Sequence, residues 1–289
     1  MQNKIQLKAY GKINLGLDVI RKREDGYHDL DMIMQTVNVY DDIIITKTES
    51  SNEIRVVTDK EVLSNGKDNL AYMAAKMLFD EFAITQGVEI RINKRIPIAG
   101  GMAGGSADCA ATLKGINQMF ALGLTQKELM ERGVKLGADV PYCVMGGTAI
   151  ARGIGEKLTP LPAPPKCHVI IAKPPVSVST AYVYGRIKPD SIKKRPDIEK
   201  MAESIRKQDL PKLSQLLNNV MEDVTVPEYP IIQEIKDVML EGGALNSIMS
   251  GSGPTVFGLF DDFHSAKLVI KQLEDNKLTE QLYLTEFVN

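Results

Sequence analysis

Residues 88–93 alternate apolar Val88, Ile90 and Ile92 with polar Glu89, Arg91 and Asn93, the period of a half-buried strand, and residues 43–47 (Ile-Ile-Ile-Thr-Lys) read as a second strand. The two are expected to pair in one sheet. The period then changes. After Asp68, read as a cap, Leu70, Met73, Ala74, Met77, Leu78 and Phe82 recur at helical spacing, and residues 125–128 (Thr-Gln-Lys-Glu) spell a capping box opening a helix that ends near Gly137. Both helices should lay one apolar face on that sheet. Further along, the pattern predicts a strand at 169–172, helices at 197–206, 211–221 and 230–240, and strands at 244–250 and 255–260 flanking Gly251, Ser252 and Gly253. A helix at 265–273 and a closing strand at 283–288 complete a mixed α+β second half.

Four prolines fall within residues 158–166 (Leu-Thr-Pro-Leu-Pro-Ala-Pro-Pro-Lys), a stretch that can continue neither a helix nor a central strand. A boundary placed there divides the chain into domains 1–160 and 161–289; a rigid surface loop inside one domain is the other reading. Length favours two lobes, because 289 residues exceed the roughly 250 at which a single core stops growing.

Composition narrows the chemistry. With 44% hydrophobic and 25% charged residues the chain is globular, and 35 Lys plus Arg against 37 Asp plus Glu give no broad positive field for a nucleic-acid backbone. No nucleic-acid partner is expected. The three cysteines, Cys109, Cys143 and Cys167, lack any C-x-x-C spacing and point to neither a disulfide framework nor zinc, which suits a reducing compartment. Without an apolar leader or a run of roughly 18 apolar residues, a cytoplasmic chain with no membrane partner is expected.

The strongest chemical signal is the segment Pro97, Ile98, Ala99, Gly100, Gly101, Met102, Ala103, Gly104, Gly105, Ser106, Ala107, set between a predicted strand and a helix predicted from Cys109. Glycines let backbone approach a ligand closely, and the free N–H groups of a helix start carry positive partial charge. A phosphate cradle is favoured over a plain loop, since a structural turn does not require four glycines in six positions. No Gly-Lys-Ser/Thr follows, so this is not a Walker A loop, and the Rossmann spacing with its later acidic strand end is missing.

The pattern Pro-x-x-Gly-Gly-Met-Ala-Gly-Gly-Ser resembles the second motif of the GHMP kinases. Residues 12–15 (Lys-Ile-Asn-Leu) resemble the family's first motif and residues 250–257 (Ser-Gly-Ser-Gly-Pro-Thr-Val-Phe) its third. Residues 25–28 (Asp-Gly-Tyr-His), 136–141 (Leu-Gly-Ala-Asp-Val-Pro) and 176–180 (Val-Ser-Val-Ser-Thr) are similar to the branch that phosphorylates a hydroxyl of a cytidine-diphosphate-linked polyol in non-mevalonate isoprenoid synthesis. Two departures stand out: Tyr10-Gly11 where many members have Pro-Ala, and Ala107 where many have a second serine.

The resemblance implies an α+β, two-lobed GHMP kinase fold, with an N-terminal lobe like domain 2 of ribosomal protein S5 and a ferredoxin-like C-terminal lobe. It implies ATP with Mg2+, and a small-molecule substrate carrying a cytidine diphosphate moiety. The chain is expected to act as a monomer or weak homodimer. Asp139, between Gly137 and Pro141, reads by itself as a turn aspartate or as a carboxylate at a cleft lip; the resemblance implies a catalytic base. Lys12 is implied to be its catalytic partner, and among short and apolar neighbours it needs an acidic partner or a cleft to face. For the substrate the resemblance implies Tyr27 and Tyr184 around the base, His28 on its edge, and Asn14 and Thr180 near the polyol or phosphates. For ATP it implies Asn69 and Lys94 at the adenosine, although Asn69 also reads as an early helix residue, and the glycine loop at the phosphates. No magnesium ligand can be named. The open alternatives are a GHMP kinase for another small alcohol, for which the Tyr27–His28 pair would be useless, and a nucleotide-binding regulatory protein without catalysis, which would need the cradle but neither Lys12 nor Asp139.

Overall fold

The computed structural model describes residues 3–289. In chain order its elements are β1 (Lys4–Lys22), β2 (His28–Ser51), β3 (Ile54–Thr58), α1 (Leu70–Glu81), β4 (Gln86–Asn93), α2 (Gly104–Met119), α3 (Gln126–Gly133), α4 (Val140–Met145), β5 (Thr148–Gly153), β6 (Lys157–Leu161), β7 (His168–Lys173) and α5 (Thr180–Arg186). There follow α6 (Ile198–Arg206), α7 (Leu210–Leu216), β8 (Asn218–Asn219), α8 (Glu222–Glu228), α9 (Ile231–Glu241), β9 (Asn246–Met249), β10 (Val256–Phe260), α10 (Phe263–Asp275) and β11 (Gln281–Thr285). One compact unit gathers residues up to Gly11, Val39–Ile96 and Ala103–Gly146; the other gathers Lys12–Asn38, Pro97–Met102 and Gly147–Asn289.

In the first unit the two expected strands pair as predicted: Ile43 of β2 lies opposite Ile92 of β4 and Ile45 opposite Ile90, antiparallel, while β3 adds parallel to β4. Their buried isoleucines form the floor on which the helices sit. The inward face of α1 is Ala71, Ala74, Ala75, Leu78 and Phe79, spaced i, i+3, i+4, i+7, i+8. Met73 and Phe82, expected inside, are exposed, because the alanines let α1 lie close to its neighbour α2 and rotate the stripe. Close approach also explains Gly115 of α2, where an added Cβ would strike the Ile45 and Leu7 side chains. The box at Thr125 caps α3 as the spacing predicts, with Glu128 returning a bond to the Thr125 backbone, but the helix ends at Gly133 and turns through 134–137.

In the second unit β2 pairs antiparallel with β5, β5 with β6, and β8 lies parallel to β1 with Leu17 opposite Asn219. The proline-rich stretch begins as a strand after all. Pro160 sits on β6 opposite Ala149, which is tolerated because β6 is an edge with only one neighbour, and residues 162–167 lie outside regular elements. A separate antiparallel sheet runs β11-β7-β10-β9. Taken as β7, α9, β9, β10, α10, β11, it has the β-α-β-β-α-β order of a ferredoxin-like fold, as expected. The helix expected over 211–221 stops at Leu216; β8 and α8 take over, and they matter for the site below. No helix among the described residues is long and apolar enough to cross a membrane.

Candidate active site

The three glycine-containing or lysine-containing motifs meet at one oxygen. Lys12, on β1 and only 5% exposed, donates from Nζ to the Gly101 carbonyl at 3.1 Å and to Asn14 Oδ1 at 2.8 Å, and its backbone N–H donates to the Met102 carbonyl. Ser250 Oγ donates to the same Gly101 oxygen at 3.1 Å. Sequence spacing supplied no way to see this, since the two bonds span 89 and 149 residues. Gly101 has φ +72°, and a Cβ there would fall inside the Ser250 carbonyl oxygen, so the loop and the third turn touch backbone to backbone. Asn14, expected near the polyol or phosphates, is fully buried, with its oxygen turned to Lys12.

Positive φ at Ala99, Gly101 and Ala103 winds the loop into a helix start that comes earlier than expected, at Gly104 rather than Cys109. Left-handed alanine is uncommon and locally strained, and such strain collects at functional sites. Ala103 provides no side-chain cap and the first turn holds no acidic residue, so the N–H groups of Gly104, Gly105 and Ser106 stand open at the positive end of a 16-residue helix. Uncapped helix starts of this kind present positive partial charge.

Behind this helix start lies a buried triad that sequence reasoning missed. Lys94 Nζ reaches Asp41 at 2.5 Å and Asp108 at 2.7 Å, and Asp41 also accepts the backbone N–H groups of Arg95 and Ile96. Burial pulls the Lys94 ammonium down, but the two carboxylates outweigh it and hold it above its ordinary value. Burial pushes the Asp108 carboxyl up to about 8, Lys94 opposing, and its Oδ1 has no hydrogen-bond partner. The Lys94 ammonium, expected at adenosine, is thus committed to carboxylates. Asn69 is the N-cap of α1 itself, accepting from Ala71 N and donating to the Ser64 carbonyl. Asp139, in the first unit whereas Lys12 is in the second, occupies the N-cap position of α4 without spending its side chain on a capping bond.

The residues expected at a base also gather in the second unit. His28 is buried, with its ring 5.2 Å from that of Tyr184 at 33°, while Tyr27 is 57% exposed one residue earlier. Burial, helped by the positive charge of Lys22, pulls His28 below its ordinary value, so at neutral pH the imidazole offers one donor and one acceptor. The largely exposed charged run 21–25 is tied into the turn that carries this pair: Arg21 and Arg23 both reach Asp29, Arg23 also reaches Asp25, and Asp25 accepts from Tyr27 N. Thr180, first residue of α5, shares a 2.9 Å hydroxyl contact with Ser252 of the third turn. Cys109 is buried and its thiol pushed up to about 12, in keeping with a small core hydrophobe.

A lysine held against a glycine-rich loop and a ferredoxin-like sheet are features of a phosphoryl-transfer protein. The family model described as "GHMP kinases N terminal domain" matches residues 69–147, and "GHMP kinases C terminal" matches residues 201–278. The chain belongs to the GHMP kinase family. It is 50% identical to the 4-diphosphocytidyl-2-C-methyl-D-erythritol kinase of Lachnoclostridium phytofermentans, over 98% of this chain and 97% of that protein. The enzyme of the same name from Lachnospira eligens is 49% identical, over 98% of each. A crystal structure of 4-(cytidine 5'-diphospho)-2C-methyl-D-erythritol kinase superposes with a TM-score of 0.83 at 28% identity, covering 99% of this chain and 100% of that one. Homoserine kinase from Cytophaga hutchinsonii shares the fold, with a TM-score of 0.79 at 20% identity over 99% and 95% of the two chains.

Proposed function

We propose that this chain transfers the γ-phosphoryl group of ATP to a hydroxyl of 4-diphosphocytidyl-2-C-methyl-D-erythritol, in the non-mevalonate route to isoprenoid precursors. The observation that carries the substrate is the buried His28, its ring tilted against that of Tyr184, beside an exposed Tyr27, a grip suited to a nucleobase and of no use to a small alcohol lacking one. The near-full-length likeness to enzymes of that name supports it.

In this reading the open N–H groups of Gly104, Gly105 and Ser106 take the ATP phosphates, and Asn69 and the backbone near Lys94 lie toward the adenosine. Tyr27 and Tyr184 flank the cytosine, His28 bonds its edge, and Thr180 with its Ser252 partner meets the polyol or phosphates. Asp139 orients and deprotonates the attacking hydroxyl, and its uncommitted carboxylate suits that task. Lys12, its ammonium placed by Gly101 and Asn14, offsets the charge that develops during transfer, while Asn14 acts through Lys12. Magnesium enters with ATP as substrate, offsetting the charge of its phosphates. We further propose that the enzyme acts in the cytoplasm, as a monomer or weak homodimer, with its lobes divided at residues 160 and 161.

The test is ADP release by purified protein with MgATP and the cytidyl substrate, run beside mevalonate, homoserine and galactose, and repeated with Asp139→Asn. Turnover on the cytidyl substrate alone, lost in the variant while ATP still binds, is expected. Turnover on another of these alcohols would overturn the substrate, and full activity of Asp139→Asn would overturn the base.

A further inference from the structure

We infer that Asn219 is a positioning residue for phosphoryl transfer, acting through the Ser250 turn on the Gly101 carbonyl that holds Lys12. The inference rests on the role proposed above for Lys12. Asn219 is 2% exposed, and nothing in its sequence neighbourhood singles it out. Its Nδ2 donates to the Met249 carbonyl at 2.8 Å and to the Gly251 carbonyl at 2.7 Å, while its Oδ1 accepts from Met221 N at 3.0 Å. The two carbonyls lie on either side of Ser250, so one planar amide fixes the peptide planes that aim the Ser250 hydroxyl. That hydroxyl donates to Gly101 O, which also accepts from Lys12 Nζ.

The linkage closes on itself. Asn219 stands on β8 opposite Leu17 of β1, the strand that carries Lys12. The circuit therefore runs from β1 through Asn219, the Ser250 turn and Gly101 back to Lys12 on β1, with a hydrogen bond or strand pairing at every step. A ring of this kind leaves the lysine little freedom, because moving its acceptor means breaking a bond elsewhere in the ring. Two neighbours reinforce the same turn: Glu222 accepts the Met249 N–H at 2.6 Å, and Thr225 Oγ1 donates to the Ser252 carbonyl at 3.2 Å. The β8–α8 segment that replaces the expected helix thus serves as a clamp on the third glycine turn.

Side chains that act only by placing others show their loss in the chemical step. For Asn219→Ala, kcat should fall roughly 10- to 100-fold while KM for MgATP and for the cytidyl substrate changes less than about threefold, since an error in position of about 1 Å is enough for such a loss. Ser250→Ala, which removes one hydroxyl and no packing element, should show the same split. The double variant should be no slower than the worse single variant, because both changes break one linkage. Circular dichroism and thermal unfolding identify variants that do not fold, and if Asn219→Ala is one of them, Ser250→Ala carries the test alone. Wild-type protein without turnover on the cytidyl substrate would sink the functional reading. Active wild type with unchanged kcat in Ser250→Ala, or with losses that multiply in the double variant, would overturn the positioning role alone.

Discussion

Replacing Asp108 by Asn removes a proton-binding site and almost nothing else, because the amide is the same size and its oxygen can still accept from Lys94. In the folded protein the Asp108 carboxyl keeps its proton to about pH 8, owing to burial beside Asp41 and despite Lys94. An unfolded aspartate gives up its proton near 3.9. Between those values the native state holds one proton more than the unfolded chain, so this group stabilises the fold fully at low pH and loses that contribution as pH rises through its folded pKa. The slope is up to about 1.4 kcal/mol per pH unit, which over pH 5 to 7 amounts to roughly 2.7 kcal/mol lost by the wild type and kept by Asp108→Asn. With a urea m-value of about 3 kcal/mol/M for a chain of this size, the gap between the two unfolding midpoints should shift by about 0.9 M across that interval, in favour of the variant. Urea titrations at pH 5, 6 and 7 followed by circular dichroism read this difference directly, and titrations common to both proteins cancel. Parallel midpoint profiles would mean that Asp108 is ionised in the native triad, and would refute the reasoning.

Gly101→Ala puts a Cβ against the Ser250 carbonyl carbon at 3.1 Å and the Gly253 nitrogen at 3.2 Å in a backbone with φ +72°. Left-handed strain and overpacking together should remove about 2–4 kcal/mol, lowering Tm by at least about 4 °C and depressing kcat as the carbonyl leaves Lys12; unchanged calorimetry and kinetics would contradict this. His28→Phe keeps a ring beside Tyr184 but no polar edge, so KM for the cytidyl substrate should rise about tenfold, the worth of one hydrogen bond, with KM for ATP unchanged in steady-state assays. An equal rise in both constants would remove His28 from base recognition.

The parts of this fold that were legible in the sequence are those whose physics is local. The alternation of Val88, Ile90 and Ile92, the capping box at Thr125 and the glycines before α2 each express one element's own requirements, and the structure bears out all three elements. β1 was missed because residues 11–19 are buried without interruption, and a strand covered on both faces has no alternation to read. The β8–α8 segment was missed for a different reason: apolar spacing there continues that of α7, while the decision to break the helix is made by Asn219 and Glu222 bonding to a turn some 30 residues away.

The same contrast runs through the site. Motif reasoning named Lys12, the glycine loop and the 250–254 turn separately, and a motif read as a string of residue types carries no statement of what its side chains bond to. Lys12 was expected to find an acid or a cleft; its bonded partners are a neutral amide and a carbonyl, which leave the ammonium its full charge. Lys94, expected at the adenosine, bonds Asp41 and Asp108, the second of which has an orphaned oxygen. A lysine that bonds only neutral groups keeps its charge for an incoming phosphate, whereas a lysine already paired with the Asp41 carboxylate can offer little, so burial and partner charge separate the two roles where sequence position could not. By that criterion the proposed cation of the transfer is Lys12 and Lys94 belongs to the scaffold, a division that Lys12→Met and Lys94→Met would reveal as loss of kcat in the first and loss of stability, about 3–5 kcal/mol, in the second.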